Sequence, residues 1–70
     1  MYIDKNIKID LETLPSVIQD GIRKLKLFYE KNDWFHFDLQ QKAMIISAKI
    51  YYHNGRIELN IYNALANKYQ

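Results

Sequence analysis

The stretch DLQQKAMIISAKIYYHNG, Asp38 to Gly55, decides how this chain folds. At a helical period it is apolar on two sides. Leu39, Ala43, Ile46 and Ile50 recur at i, i+4, i+7 and i+11, and Met44, Ala48 and Tyr51 make a second stripe nearly opposite, widened by Ile45 and Tyr52. Only Lys42 and Lys49 mark a wet edge. A helix that is apolar on both sides is a central element with a neighbour on each. The expectation is a helix over residues 38–54, with one helix before it and one after. Asp38 reads as its N-cap, with Gln41 three residues on as the capping-box partner. Asn54-Gly55 reads as its stop, because Gly adopts the left-handed conformation without a Cβ penalty.

Upstream, Leu14, Val17, Ile18, Ile22, Leu25, Phe28 and Tyr29 recur at three- and four-residue steps, which predicts a helix over 14–32. Pro15 is tolerated in its first turn, where its missing N–H has no partner to lose. Gly21 lies on the same face; a mid-helix Gly costs ~1 kcal/mol against Ala, so it marks a close helix crossing. Asp20 with Lys24, and Lys26 with Glu30, are spaced to support the wet face. Leu27 points away from the stripe. Residues 1–12 alternate loosely through Ile7, Ile9 and Leu11, the pattern of an extended arm or a short edge strand. We read them as an arm that packs Ile7 or Ile9 on the bundle.

Downstream, a third helix over 57–69 carries Ile57, Ile61 and Leu65 inward, flanked by Tyr62 and Tyr69, with Asn60, Asn63 and Asn67 outside. The fold read from these elements is all-α: one domain of 70 residues, a three-helix bundle with an extended N-terminal arm. The alternative is an α+β fold with a β-hairpin at Asn54-Gly55, since Asn-Gly is also the strongest short hairpin signal. It pairs Tyr52 with Ile57, Ile50 with Leu59 and Ala48 with Ile61 on one apolar face.

The composition limits function more than it assigns it. There is no Cys, so neither disulfides nor thiolate metal sites are available, and a reducing, cytoplasmic setting is the natural expectation. No apolar run approaches a membrane span. A formal charge of +2 is far from the excess of a dedicated nucleic-acid binder. Aromatic residues make up 14% of the chain, more than a small three-helix core absorbs. The Trp34–Phe37 corner is one candidate contact surface, but Trp34 and Phe37 are placed in that core in preference, as the side chains a small core most wants. Phe35 at one end of the central helix, and Tyr51, Tyr52, His53 and Arg56 at the other, are assigned to a partner surface, where aromatic residues serve as anchors.

Within residues 14–69, the segments LPSVIQDGIRKLKLFYEKNDWFHFDL, Ala48-Lys49, Tyr51-Tyr52, Gly55-Arg56-Ile57 and Lys68-Tyr69 resemble small helical proteins carried by phages and mobile elements of low-GC Gram-positive bacteria. The most specific part is Asp33-Trp34-Phe35, Phe37-Asp38, at a fixed distance before Gly55, Ile57 and Lys68-Tyr69. Glu58 and Gln70 depart from the pattern, which has Ser or Thr at the first position and Gly at the second. The resemblance implies an all-helical fold and brings no catalytic motif.

Catalysis finds little support. His36 and His53 have no carboxylate or hydroxyl partner at a recognisable motif spacing, and NDWFHFD does not supply an EF-hand loop. No catalytic, metal-binding or cofactor-binding residues are assigned. One reading is a helix-turn-helix DNA-binding regulator, its second and third helices joined at Asn54-Gly55, presenting Asn60, Asn63, Asn67 and Lys68. Against it, Arg23, Lys24, Lys26 and Lys31 sit on the first helix. The favoured reading is a non-catalytic protein-binding module that acts by occlusion, such as an anti-CRISPR-like inhibitor of a host complex. A homodimer through the Met44–Ala48–Tyr51 side is a further expectation, should the third helix leave that side open.

Overall fold

A computed structural model describes residues 2–70. It contains a 3-10 turn at Leu11–Thr13 followed by three helices, α1 (Ser16–Glu30), α2 (Trp34–His53) and α3 (Leu59–Lys68). The protein is all-α, and the hairpin alternative does not form. Just past the end of α2, at Gly55, φ is +73°. The Arg56 N–H donates to the Tyr51 carbonyl (2.9 Å) and the Gly55 N–H to that of Tyr52 (3.0 Å), so the last turn closes on itself and has no strand to pair.

The boundary between α1 and α2 falls earlier than the sequence reading put it. Asn32 takes the left-handed conformation (φ 55°), and the Asp33 and Asn32 N–H groups cap the Phe28 and Tyr29 carbonyls at 2.9 and 3.1 Å. Asp33 then becomes the N-cap of α2, accepting from the His36 N–H at 3.1 Å. Two residues thus stop one helix and start the next. Asp38, expected to be the cap, lies one turn inside α2 and pairs with Lys42 at 3.0 Å. Gln41 donates instead to the Tyr69 carbonyl (3.2 Å). At the start of α3, Glu58 makes no side-chain capping bond, and Ile57 is buried ahead of the helix rather than within it.

Both neighbours of α2 pack on one side of it. The shared core is Ile18, Ile22 and Leu25 from α1, Phe37, Met44 and Ala48 from α2, and Leu65 and Tyr69 from the end of the chain. Phe28 of α1 stacks on His36 of α2, while on the α3 side Tyr52 stacks on Tyr62. Gly21 sits at the α1–α2 crossing, where a Cβ would lie 3.2 Å from Gln40 Nε2 and 3.5 Å from Met44 Cγ. The Met44–Ala48 stripe is therefore spent inside the monomer and is not a dimer surface. Trp34, assigned to the core, is 62% exposed; Phe37 is buried.

Residues 2–4 run antiparallel to residues 68–70. The Tyr2 and Gln70 N–H groups donate to one another's carbonyls (2.7 and 2.8 Å), and Ile3 bridges Tyr69. Tyr69 is completely buried beneath this clasp, a core residue rather than a flanking one. Ile3, Ile9 and Leu11 pack on the core from the same arm.

Two predictions test this packing. Gly21→Ala gains about 1 kcal/mol of helix propensity, touches Met44 at ordinary contact distance and crowds only the movable end of Gln40, so it raises the thermal midpoint, whereas Gly21→Leu drives into Met44 and lowers it. The His36 N–H bonded to the Asp33 carboxylate is the largest influence holding that group below the usual aspartate range of 3.8. A depressed carboxylate stabilises the fold above its unfolded value and loses that contribution as pH falls through its folded value. Acid titration monitored by circular dichroism will therefore show Asp33→Asn, which retains the cap but not the charge, losing less stability than wild type below pH 3.8.

Candidate protein-docking face

The side of α2 away from the core is where this fold departs from ordinary amphipathic construction. Phe35, Leu39, Ile46 and Ile50 are 68%, 51%, 62% and 56% exposed. They lie on one line of the helix, ~22 Å long at 1.5 Å per residue, with exposed Ala43 among them. Fully burying a side chain of this kind stabilises by ~1.5–3 kcal/mol. Half-exposed, the four forgo several kcal/mol, comparable to the ~3–5 kcal/mol a small core supplies in total. Singly exposed apolar residues are common, but a contiguous line of four is a feature of interaction surfaces.

The line has distinct edges. Lys42 and Lys49 flank it on one side; Lys42 is held by Asp38, and Lys49 has no carboxylate within ion-pair distance among the described residues. On the other side the surface dips between α2 and α1. A shallow hollow of about 430 Å³ is lined by Val17, Ser47, Ile50, Tyr51, Asn54 and Arg56. Val17 is itself 54% exposed, so the apolar surface continues from α2 onto the first turn of α1.

The five partner residues assigned from sequence separate in the structure. Phe35 is exposed and stands at the head of the line. Tyr51 and Arg56 meet beside Ile50 in the hollow. Tyr52 is half-buried and stacks on Tyr62, with ring centroids 5.9 Å apart, which gives it a structural role between α2 and α3. His53 is exposed in the last turn of α2. Leu39, Ile46 and Ile50, the centre of the face, are exposed where the two-stripe pattern places them inside, and Trp34, expected in the core, is exposed at the head of α2.

The nucleic-acid set divides as well. Asn60, Asn63 and Asn67 are exposed along α3. Lys68, the one cation of that helix, donates to the carbonyls of Asp4 (3.0 Å) and Ile7 (2.6 Å) in the arm. Phosphate contacts supply most of the affinity for nucleic acid, and the asparagines stand without a cation of their own helix beside them.

His36 has a carboxylate partner after all: its Nδ1 lies 2.7 Å from Asp33 Oδ2, three residues away, with the ring stacked on Phe28. The pair is accounted for as the capped first turn of α2. Among the described residues, no three His, Asp or Glu side chains are placed to hold a metal ion, and no helix is long and apolar enough to cross a membrane.

Comparison of the chain with protein-family models, with curated proteins and with solved structures finds no match.

Proposed function

We propose that this chain is a non-catalytic protein-binding module, docking through the outer face of α2 on an apolar partner surface flanked by carboxylates. The observation that carries the proposal is the exposed line Phe35–Leu39–Ile46–Ile50. Docking covers the partner's surface, and the module acts by that occlusion. The resemblance to phage and mobile-element proteins supports a narrower form, in which the covered surface belongs to a host complex that the docking inhibits.

Charge selects the partner. A second copy of the chain, laid antiparallel so that the two lines coincide, sets Lys42 of one molecule beside Lys42 of the other, and like charges across a helix pair are unfavourable. A surface bearing Asp or Glu meets Lys49, which has no carboxylate beside it among the described residues, without that cost. The apolar line supplies affinity, and the lysine edge sets orientation and encounter rate.

The test compares tagged wild type with Ile46→Glu, Lys49→Glu and Asn63→Glu in capture from a low-GC Gram-positive lysate, with nuclease present. All three positions are exposed, so each variant should melt within about 0.5 kcal/mol of wild type. Ile46→Glu should cost about 2 kcal/mol or more of binding. Lys49→Glu should slow association, and Asn63→Glu should change neither. A stoichiometric partner held equally by Ile46→Glu overturns the proposal, as does loss of the bound material to nuclease.

A further inference from the structure

A second surface lies on the opposite flank of the fold, where the arm crosses α1 and α3. Lys5 and Lys8 of the arm, Lys26 of α1 and Lys68 of α3 line one cleft of about 490 Å³, with Ile3 and Tyr29 as its apolar walls and Glu30 as its one carboxylate. Four of the ten basic residues of the chain thus converge from segments up to 63 positions apart. We propose that this cleft binds a small organic polyphosphate, its phosphates held among the four ammonium groups and its non-phosphate part against Ile3 and Tyr29.

Three features support this ligand class. First, Lys68 is fixed rather than free. Its ammonium is tied to the Asp4 and Ile7 carbonyls at 3.0 and 2.6 Å, leaving one of its three N–H donors for a ligand. Second, the site holds an excess of like charge, four lysines against Glu30. No ion pair joins any of the four lysines to a carboxylate among the described residues. Burial first, then the charges of Lys8 and Lys26, hold the Lys68 ammonium below the ordinary lysine range, with Asp4 opposing only in part. An anion between these groups converts their mutual repulsion into attraction. Third, the volume lies within the range of small-molecule sites, ~300–1,000 Å³, and exceeds what a single phosphate fills. Lysines act as point charges on flexible stems, which suits several phosphate oxygens better than one planar carboxylate.

The site also has a structural consequence. Its ligand bridges the arm to α1 and α3, so binding stabilises the clasp over Tyr69 and raises the temperature at which the protein unfolds.

The experiment is a thermal-melt and amide-NMR titration of the intact chain with inorganic pyrophosphate and with ATP, against sodium chloride at matched ionic strength. Lys8→Gln/Lys26→Gln is the variant, since both residues are exposed and Lys68 keeps its contacts to the arm. The expected result is a rise in melting temperature with both phosphates beyond the salt control, with shifts at Lys5, Lys8, Lys26 and Tyr29. Affinity should fall about tenfold or more in the double variant, as expected for losing two charges near a bound anion. A rise equalled by sodium chloride, an unchanged affinity in the double variant, or shifts elsewhere would each overturn the proposal. A parallel titration with duplex DNA separates the phosphate sources: tight binding of DNA with none of pyrophosphate or ATP also overturns it. Ile46→Glu should bind both phosphates as wild type does, which keeps this test independent of the docking face.

Discussion

Among the described residues, the face of α2 that carries Phe37, Met44 and Ala48 is the surface against which both other helices pack. α1 and α3 take the two flanks of that face, and no helix of the described residues lies on the back of α2. The constraint is one of area: α1 and α3 cover one half of a 20-residue helix, and the remaining half keeps whatever the sequence put there. Here it put Leu39, Ile46 and Ile50. The clasp between residues 2–4 and 68–70 completes the arrangement, because Tyr69 closes the open end of the core and the arm holds it down.

Much of this was legible in the sequence. The periodicities of α1 and α3, the stop at Gly55 and the close crossing at Gly21 follow from local chemistry, and local chemistry governs them in the fold. The two-stripe pattern of α2 was legible too, but not which stripe faces inward. A clue was present: at about 100° per residue, Lys42 and Lys49 project within ~60–80° of Leu39, and none of the charged residues of α2 lies nearer the centre of the Met44–Ala48 stripe. Two charges beside one stripe mark it as the wet side, and that consideration outweighs the symmetry that suggested a neighbour on each. Asp33 and Asp38 are chemically equal candidates for the cap of α2. The choice falls to Asp33 because Asn32 can take the left-handed turn directly before it. The burial of Tyr69 had no local signal, since it depends on an arm more than 60 residues away in sequence.

The two surfaces differ in physical character. The back of α2 is apolar, shallow and edged by lysine, as suits a protein partner whose affinity comes from buried area. The arm cleft is cationic and drawn from three segments, as suits a compact anion. Lys68 links the second surface to the fold itself, for the ammonium that faces the cleft also ties the arm to α3. Asn60, Asn63 and Asn67 lie on neither surface and have no function assigned to them.

The partition of α2 into a buried and a bare face is the claim on which the rest stands, and hydroxyl-radical footprinting of the free protein measures it directly. Oxidation is expected at Trp34, Phe35, Leu39, Ile46 and Ile50, with Phe37, Met44 and Tyr69 protected despite the high intrinsic reactivity of methionine and tyrosine. Oxidation at Met44 together with protection of Leu39, Ile46 and Ile50 would contradict it, showing that α2 turns its other stripe to the core.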